Sequence, residues 1–120
     1  MSIFKRNNDL EFRKKESKRL LDIYKNRIPV ICEKSPYEKH LPVIEKIKYL
    51  IPSDCKENQL IFIIKRNLNL NVNNPLFLIA KNDKEYSLSG NRTMSEIYQD
   101  YKDPEDGFLY IFYASEDLLG

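Results

Sequence analysis

The longest unbroken apolar run in the chain is Phe108 to Ala114, seven residues that are aromatic, aliphatic or small. A stretch apolar at every position predicts a strand buried on both faces, and such a strand belongs in the middle of a sheet. Leu76–Ala80 repeats the pattern over five residues and predicts another buried strand. Arg27–Lys34 alternates instead. Ile28, Val30 and Cys32 form one face, and Arg27, Pro29, Ile31 and Glu33 the other. Pro29 has no N–H to donate, so its ladder position must face away from a neighbouring strand or sit beside a bulge. Lys46–Ile51 alternates lysines with apolar residues. Lysines on a strand commonly protect an exposed sheet edge, so this stretch predicts the edge strand.

Helical spacing fills the gaps between these strands. Residues 2–8 predict a short helical turn, and Asp9 an N-cap for a helix running to about Tyr24. Leu10, Arg13, Ser17, Leu20, Leu21 and Tyr24 share one side of it, and only part of that stripe is apolar, which puts the helix on the outside of the fold. Pro52-Ser53-Asp54 ends the edge strand and caps a helix over about Lys56–Arg66, with Leu60, Ile61, Ile64 and then Leu68 on its buried side. Thr93-x-x-Glu96 is a capping box opening a short helix with Met94, Ile97, Tyr98 and Tyr101 at helical spacing. Residues 35–45 read as a proline-containing loop, Asn69–Pro75 as a turn-rich bridge, Lys81–Arg92 as a polar loop, and Asp103–Gly107 as the turn into the last strand. The order predicts an α+β fold: a ubiquitin-like β-grasp with a four-stranded mixed sheet and packed helices, preceded by two N-terminal helices. The last strand lies centrally, parallel to the first. The chain divides into an N-terminal helical extension (1–25), a core (26–114) and a tail (115–120).

At 120 residues, 42% hydrophobic and 32% charged, the composition is that of one globular domain. The net charge of +2 conceals a split: residues 1–27 carry nine Lys/Arg against four acids, residues 93–120 one Lys against seven acids. That split argues for partners reading different faces and against a uniformly basic nucleic-acid binder. No apolar run reaches the roughly 18 residues of a membrane span, and no signal-peptide core precedes the domain, so a cytosolic protein is expected. Cys32 and Cys55 then read as free thiols.

An enzyme needs a constellation, and the sequence offers only a Cys32–His40 pair. Cys32 falls on the apolar face of its strand, where a buried thiol is the simpler reading, and His40 reads as a solvated loop residue. No catalytic residue is assigned. Two cysteines and one histidine fit no zinc spacing, Asp103, Glu105 and Asp106 lack the calcium-loop register and read as a solvated turn, and no glycine loop cradles a phosphate. No metal or cofactor is expected. The basic stretch 13–19 has no interleaved aromatics and reads as a solvated or docking face.

What remains is a binding module. An edge strand invites an extended peptide to add itself to the sheet, with side-chain pockets supplying specificity. Pro29 and Ile31 join Leu50, Leu20 and Phe108 around one such pocket; Tyr49, Ile51, Pro52, Leu60 and Ile63 surround another. Simple core packing is the competing reading for both sets. Lys46, Lys48 and Arg27 favour acidic residues beside the peptide's anchors. At the far end, a core strand runs through Ser115-Glu116-Asp117 to Leu118-Leu119-Gly120. A terminal glycine admits a narrow enzyme cleft and leaves its carboxylate open to activation. Many chains end in glycine for no such reason.

Three stretches, Asn26-Arg-Ile-Pro-Val-Ile-Cys-Glu-Lys34, Lys46-Ile-Lys-Tyr-Leu-Ile-Pro-Ser-Asp54 and Gly107-Phe-Leu-Tyr-Ile-Phe-Tyr113, with the final glycine, carry a resemblance. In their order and spacing the chain resembles the autophagy ubiquitin-like modifiers that include the GABA-receptor-associated protein and the microtubule-associated protein light chains. The resemblance covers nearly the whole chain. It implies a pocket for the aromatic anchor of an aromatic-x-x-aliphatic peptide at Glu16, Leu20, Pro29, Ile31, Lys48, Leu50 and Phe108. It implies a pocket for the aliphatic anchor at Tyr49, Ile51, Pro52, Leu60 and Ile63, and contacts with acidic flanking residues at Arg27 and Lys46. It implies that Gly120 is joined to phosphatidylethanolamine through the cysteines of an activating and a transferring enzyme. A cysteine protease would process and release the conjugate. Receptors would then be recruited to autophagosomes and vesicles by a protein that is itself a monomer. Cys55 and Leu60 stand where relatives often have Leu and Phe, Leu119 replaces the usual aromatic, and the loop 81–92 is longer. A ubiquitin-like adaptor that binds peptides and is never conjugated is the alternative.

Overall fold

The computed structural model describes residues 2–117. Two helices come first, α1 (Ile3–Asn7) and α2 (Leu10–Ile23), each opened by the side chain of the residue before it: Ser2 accepts from the Lys5 N–H and Asp9 from the Phe12 N–H. Then follow β1 (Arg27–Lys34), β2 (Lys48–Pro52), α3 (Glu57–Asn67), β3 (Phe77–Lys81), β4 (Glu85–Ser87), α4 (Met94–Tyr101) and β5 (Leu109–Ala114). The sheet runs β2-β1-β5-β3-β4. As its apolarity predicts, β5 lies in the centre, parallel to β1 and antiparallel to β3.

The sheet has five strands where the sequence pattern predicts four. The additional one, β4, comes from the polar stretch 81–92 and pairs with β3 through Ile79–Ser87, Ala80–Tyr86 and Lys81–Glu85. It is three residues long and half-exposed, so no burial pattern announces it. β2 begins at Lys48, although Cys32 still donates to the Ile47 carbonyl just before it. α3 is not capped by Ser53 or Asp54. Those residues form a turn, and the helix opens at Lys56, whose N–H is taken by Gln59 Oε1 at 2.8 Å. Pro29 is accommodated because β5 pairs with β1 only from Val30 onward.

The pleat of the sheet separates two cores. Ile28, Val30 and Cys32 of β1 pack with Leu109, Ile111 and Tyr113 of β5 under α3 and α4, where Leu60, Ile64, Met94 and Ile97 are fully buried. On the opposite face Ile31, Phe108 and Tyr110 pack against Phe4 and Leu20, the apolar contributions of α1 and α2. The Phe4 and Phe108 rings meet edge to face with centroids 5.3 Å apart.

The middle of the partly polar stripe of α2 is nonetheless buried, at Arg13, Ser17 and Leu20, while Tyr24 at its end is exposed. Arg13 Nε donates to Asp106 Oδ2 at 2.9 Å, and Ser17 Oγ donates to the Asp106 carbonyl. Lys5 pairs with Asp103. The turn 103–107 is therefore solvated only in part: Asp103 and Asp106 are buried, while Pro104 and Glu105 are exposed. Gly107 closes it with φ of 83°, and a Cβ there would stand 3.0 Å from Ser17 Oγ, so both backbone and space call for glycine.

Candidate functional site

β2 hydrogen-bonds to β1 on one side only and forms one edge of the sheet. Its burial alternates, with Tyr49 and Ile51 buried and Lys48, Leu50 and Pro52 half-exposed. The register aligns Pro29 with Leu50 and Ile31 with Lys48. Because side chains directly opposite share a face, these four stand together on the α2 side.

The structure brings the seven residues of the first predicted pocket into one neighbourhood. Leu20, Ile31 and Phe108 belong to one buried cluster, with Leu50 packed against it. Pro29 is also buried. Glu16 of α2 reaches over to β2, where Lys48 Nζ donates to its Oε2 at 2.6 Å, while Arg19 Nε donates to Oε1 at 2.8 Å. The hydrogen bonds from Arg19 and Lys48 hold the Glu16 carboxyl at about 2, well below its ordinary 4.5. An ion pair thus spans α2 and β2 beside an apolar floor. That floor is closely packed, with Ile31 and Phe108 fully buried.

The second predicted set is divided. Tyr49, Ile51 and Leu60 are buried in the core beneath α3, and only Ile63 and Pro52 reach the surface. The Tyr49 hydroxyl is buried without a hydrogen-bond partner, and burial pushes its pKa up. Of the two cations assigned to acidic flanks, Lys46 places Nζ 4.9 Å from the Tyr49 ring centroid. Arg27 is exposed and donates from Nη1 to the Leu50 carbonyl at 3.0 Å. Cys32 is fully buried, and burial pushes its thiol far from the thiolate form.

Gly120 lies outside the described residues. The root of the tail is described. Ser115 donates its N–H to Glu38 Oε1 at 2.6 Å and its hydroxyl to the same oxygen at 2.9 Å. Glu38 also accepts from the His40 and Leu41 N–H groups, each at 2.8 Å. Sequence reasoning misses Glu38 because nothing in a loop acid signals a partner 77 positions away.

A cleft of about 680 Å³ is likewise invisible in the sequence. It opens on the α1 side of the sheet, beyond the part that α1 and α2 cover, over Ile79, Tyr110 and Phe112 and beside the Lys5–Asp103 pair. No helix among the described residues is long and apolar enough to cross a membrane.

Residues 12–120 match the family described as "Autophagy protein Atg8 ubiquitin like". The chain is 42% identical to autophagy-related protein 8e of Arabidopsis thaliana, over 99% of this chain and 93% of that protein. It is 40% identical to autophagy-related protein 8 of Saccharomyces cerevisiae (strain YJM789), over 99% and 97%. To human microtubule-associated protein 1 light chain 3 gamma it is 38% identical, over 98% of this chain and 78% of that protein.

Proposed function

We propose, for a chain that belongs to the Atg8 family of ubiquitin-like autophagy proteins, that it is a modifier joined through Gly120 to phosphatidylethanolamine and read by peptide motifs at β2. The observation that carries this reading is the open β2 edge with apolar side chains behind each of its faces: Ile31, Leu50 and Phe108 toward α2, Tyr49, Ile51 and Leu60 toward α3. An extended peptide adding to that edge takes its affinity from main-chain hydrogen bonds and its specificity from the side chains that alternate to either face. An aromatic anchor and an aliphatic anchor separated by two residues suit two such subsites.

For conjugation, the Gly120 carboxylate is adenylated by ATP, pyrophosphate leaving. An activating enzyme's cysteine displaces AMP to form a thioester, which passes to the cysteine of a transferring enzyme. The headgroup amine then attacks the thioester carbonyl, forms the amide and releases the thiol. The chain supplies no catalytic group of its own. A cysteine protease would process the tail and cleave the conjugate. Each buried methylene contributes about 0.8 kcal/mol, so a two-chain phospholipid anchors stably where one acyl chain binds marginally. The protein would move between the cytoplasm and autophagosomal membranes on this step.

Intact mass spectrometry of the protein extracted from membranes of starved cells tests it, beside Gly120→Ala. A phosphatidylethanolamine adduct on the terminal peptide of the wild type alone is expected. Unmodified protein in both would end the conjugation claim and leave a peptide-binding adaptor.

A further inference from the structure

The register of β1 and β2 decides which backbone groups of the edge strand look outward. Cys32 donates to the Ile47 carbonyl at 2.8 Å and Ser53 to the Asn26 carbonyl at 2.9 Å. Antiparallel hydrogen-bonded pairs alternate with a period of two. Tyr49 and Ile51 therefore bond to Val30 and Ile28, their register partners. The N–H and C=O groups of Lys48 and Leu50 point to the open side, where an added strand must meet them. One of these four groups is already taken. Arg27 aligns with Pro52, and its Nη1 donates to the Leu50 carbonyl at 3.0 Å.

We propose that Arg27 guards the β2 edge: its guanidinium occupies the Leu50 carbonyl, and an acidic residue flanking an incoming peptide draws it off and frees that acceptor. The proposal rests on β2 being a peptide-docking edge and adds how that edge selects its ligand. A guanidinium is a rigid donor fork that matches a carboxylate through two parallel bonds, and a single carbonyl oxygen is its weaker partner. Arg27 is exposed, so the exchange involves little desolvation. A peptide without a flanking acid must push the guanidinium aside, because it stands on the open side of the edge where the added strand has to lie, and gains only its own amide bond to Leu50. A peptide with one makes that bond and satisfies Arg27 as well. Lys46 cannot play this part: its ammonium stands over the Tyr49 ring and holds no backbone acceptor of the edge. While no ligand is bound, the same contact covers an edge that would otherwise be open to pairing with another copy of the chain.

Calorimetric titration of the full chain with two synthetic aromatic-x-x-aliphatic peptides tests the guard. One peptide carries Asp on both flanks of the four-residue core, the other Ser. Wild type, Arg27→Ala and Lys46→Ala are compared, after thermal melts establish that the exposed substitutions leave the fold intact. The Ser-flanked peptide is expected to bind Arg27→Ala roughly two- to five-fold more tightly than wild type, the size of one weak hydrogen bond. The Asp-flanked peptide is expected to bind Arg27→Ala more weakly than wild type. Lys46→Ala should not tighten the Ser-flanked peptide. If Arg27 acts only as a charge for the flank, the Ser-flanked peptide binds Arg27→Ala no tighter than wild type, and the guard is overturned while docking stands. If neither peptide binds any of the three proteins, the docking reading falls and the guard with it.

Discussion

Glu38 is a carboxylate encircled by donors. Burial by itself would raise its pKa, yet the backbone bonds from Ser115, Leu41 and His40 and the Ser115 hydroxyl outweigh burial and hold it at about 2 against an ordinary 4.5. A carboxyl depressed in the folded state contributes stability in full above its unfolded value and loses it as pH falls through the folded one. Glu38→Gln should therefore lower the urea midpoint at neutral pH, and the gap from wild type should narrow as pH falls from 4.5 towards 2. Urea melts across that range check this; a gap that stays constant would mean that the charge contributes nothing. The sequence offered no hint of the role. Glu38 looks like the exposed Glu45 nearby, and only folding brings Ser115 to it.

At the scale of elements, the stretch 81–92 is held by one residue of α3. Glu57 is fully buried and accepts from the Tyr86 hydroxyl, from the Gly90 N–H at 2.5 Å and from the Arg92 N–H at 3.0 Å. Its own N–H donates to the Arg92 carbonyl. This contact explains why a polar stretch without periodicity contains a strand: β4 is held by its pairing with β3 and by the α3 carboxylate it folds over. Glu57→Ala takes the acceptor from the part-buried donors of Tyr86, Gly90 and Arg92, so a loss of about 2 kcal/mol in unfolding free energy is expected. Hydrogen exchange should show the amides of Gly90 and Arg92 losing protection while those of β1 and β5 keep theirs. Equal loss across the sheet would argue against a local clamp. α4 makes a useful contrast. Its capping box, in which Thr93 and Glu96 satisfy each other's backbone, lies within four residues and was legible for that reason.

For the whole molecule, the charge split that suggests separate partners is partly answered inside the protein. The basic N-terminal segment meets the acidic C-terminal half through Lys5–Asp103 and Arg13–Asp106, the latter with Asp106 fully shielded. With Phe4 and Leu20, these contacts make α1 and α2 one wall of the second core. Deleting residues 1–24 would expose Ile31, Phe108 and Tyr110, apolar side chains whose burial contributes about 1.5–3 kcal/mol each, and would take from Asp106 the cation that pairs it. The truncated chain should melt at a markedly lower urea concentration and bind a hydrophobic dye at neutral pH. A truncated chain as stable as the full one would make 26–114 a self-sufficient core with an appended extension.

The sequence alone determined the order of the elements it foresaw, the two alternating faces of β1, the inward and outward faces of β2, the central place of β5 and the edge position of β2. Each is written in a periodicity of two or 3.6 over a few neighbouring residues, and burial acts on that period directly. Tertiary structure decided which charges are buried, that a fifth strand exists, which candidate pocket residues form a surface and which a floor, and where the Arg27 guanidinium rests. Apart from the local pairing of β3 with β4, those outcomes depend on donors and acceptors brought together from 23 positions away, for Arg27 and Leu50, to 98, for Lys5 and Asp103. A polar side chain carries no local mark of such a partner, because its choice between water and the interior is made only where the folded chain supplies the matching group.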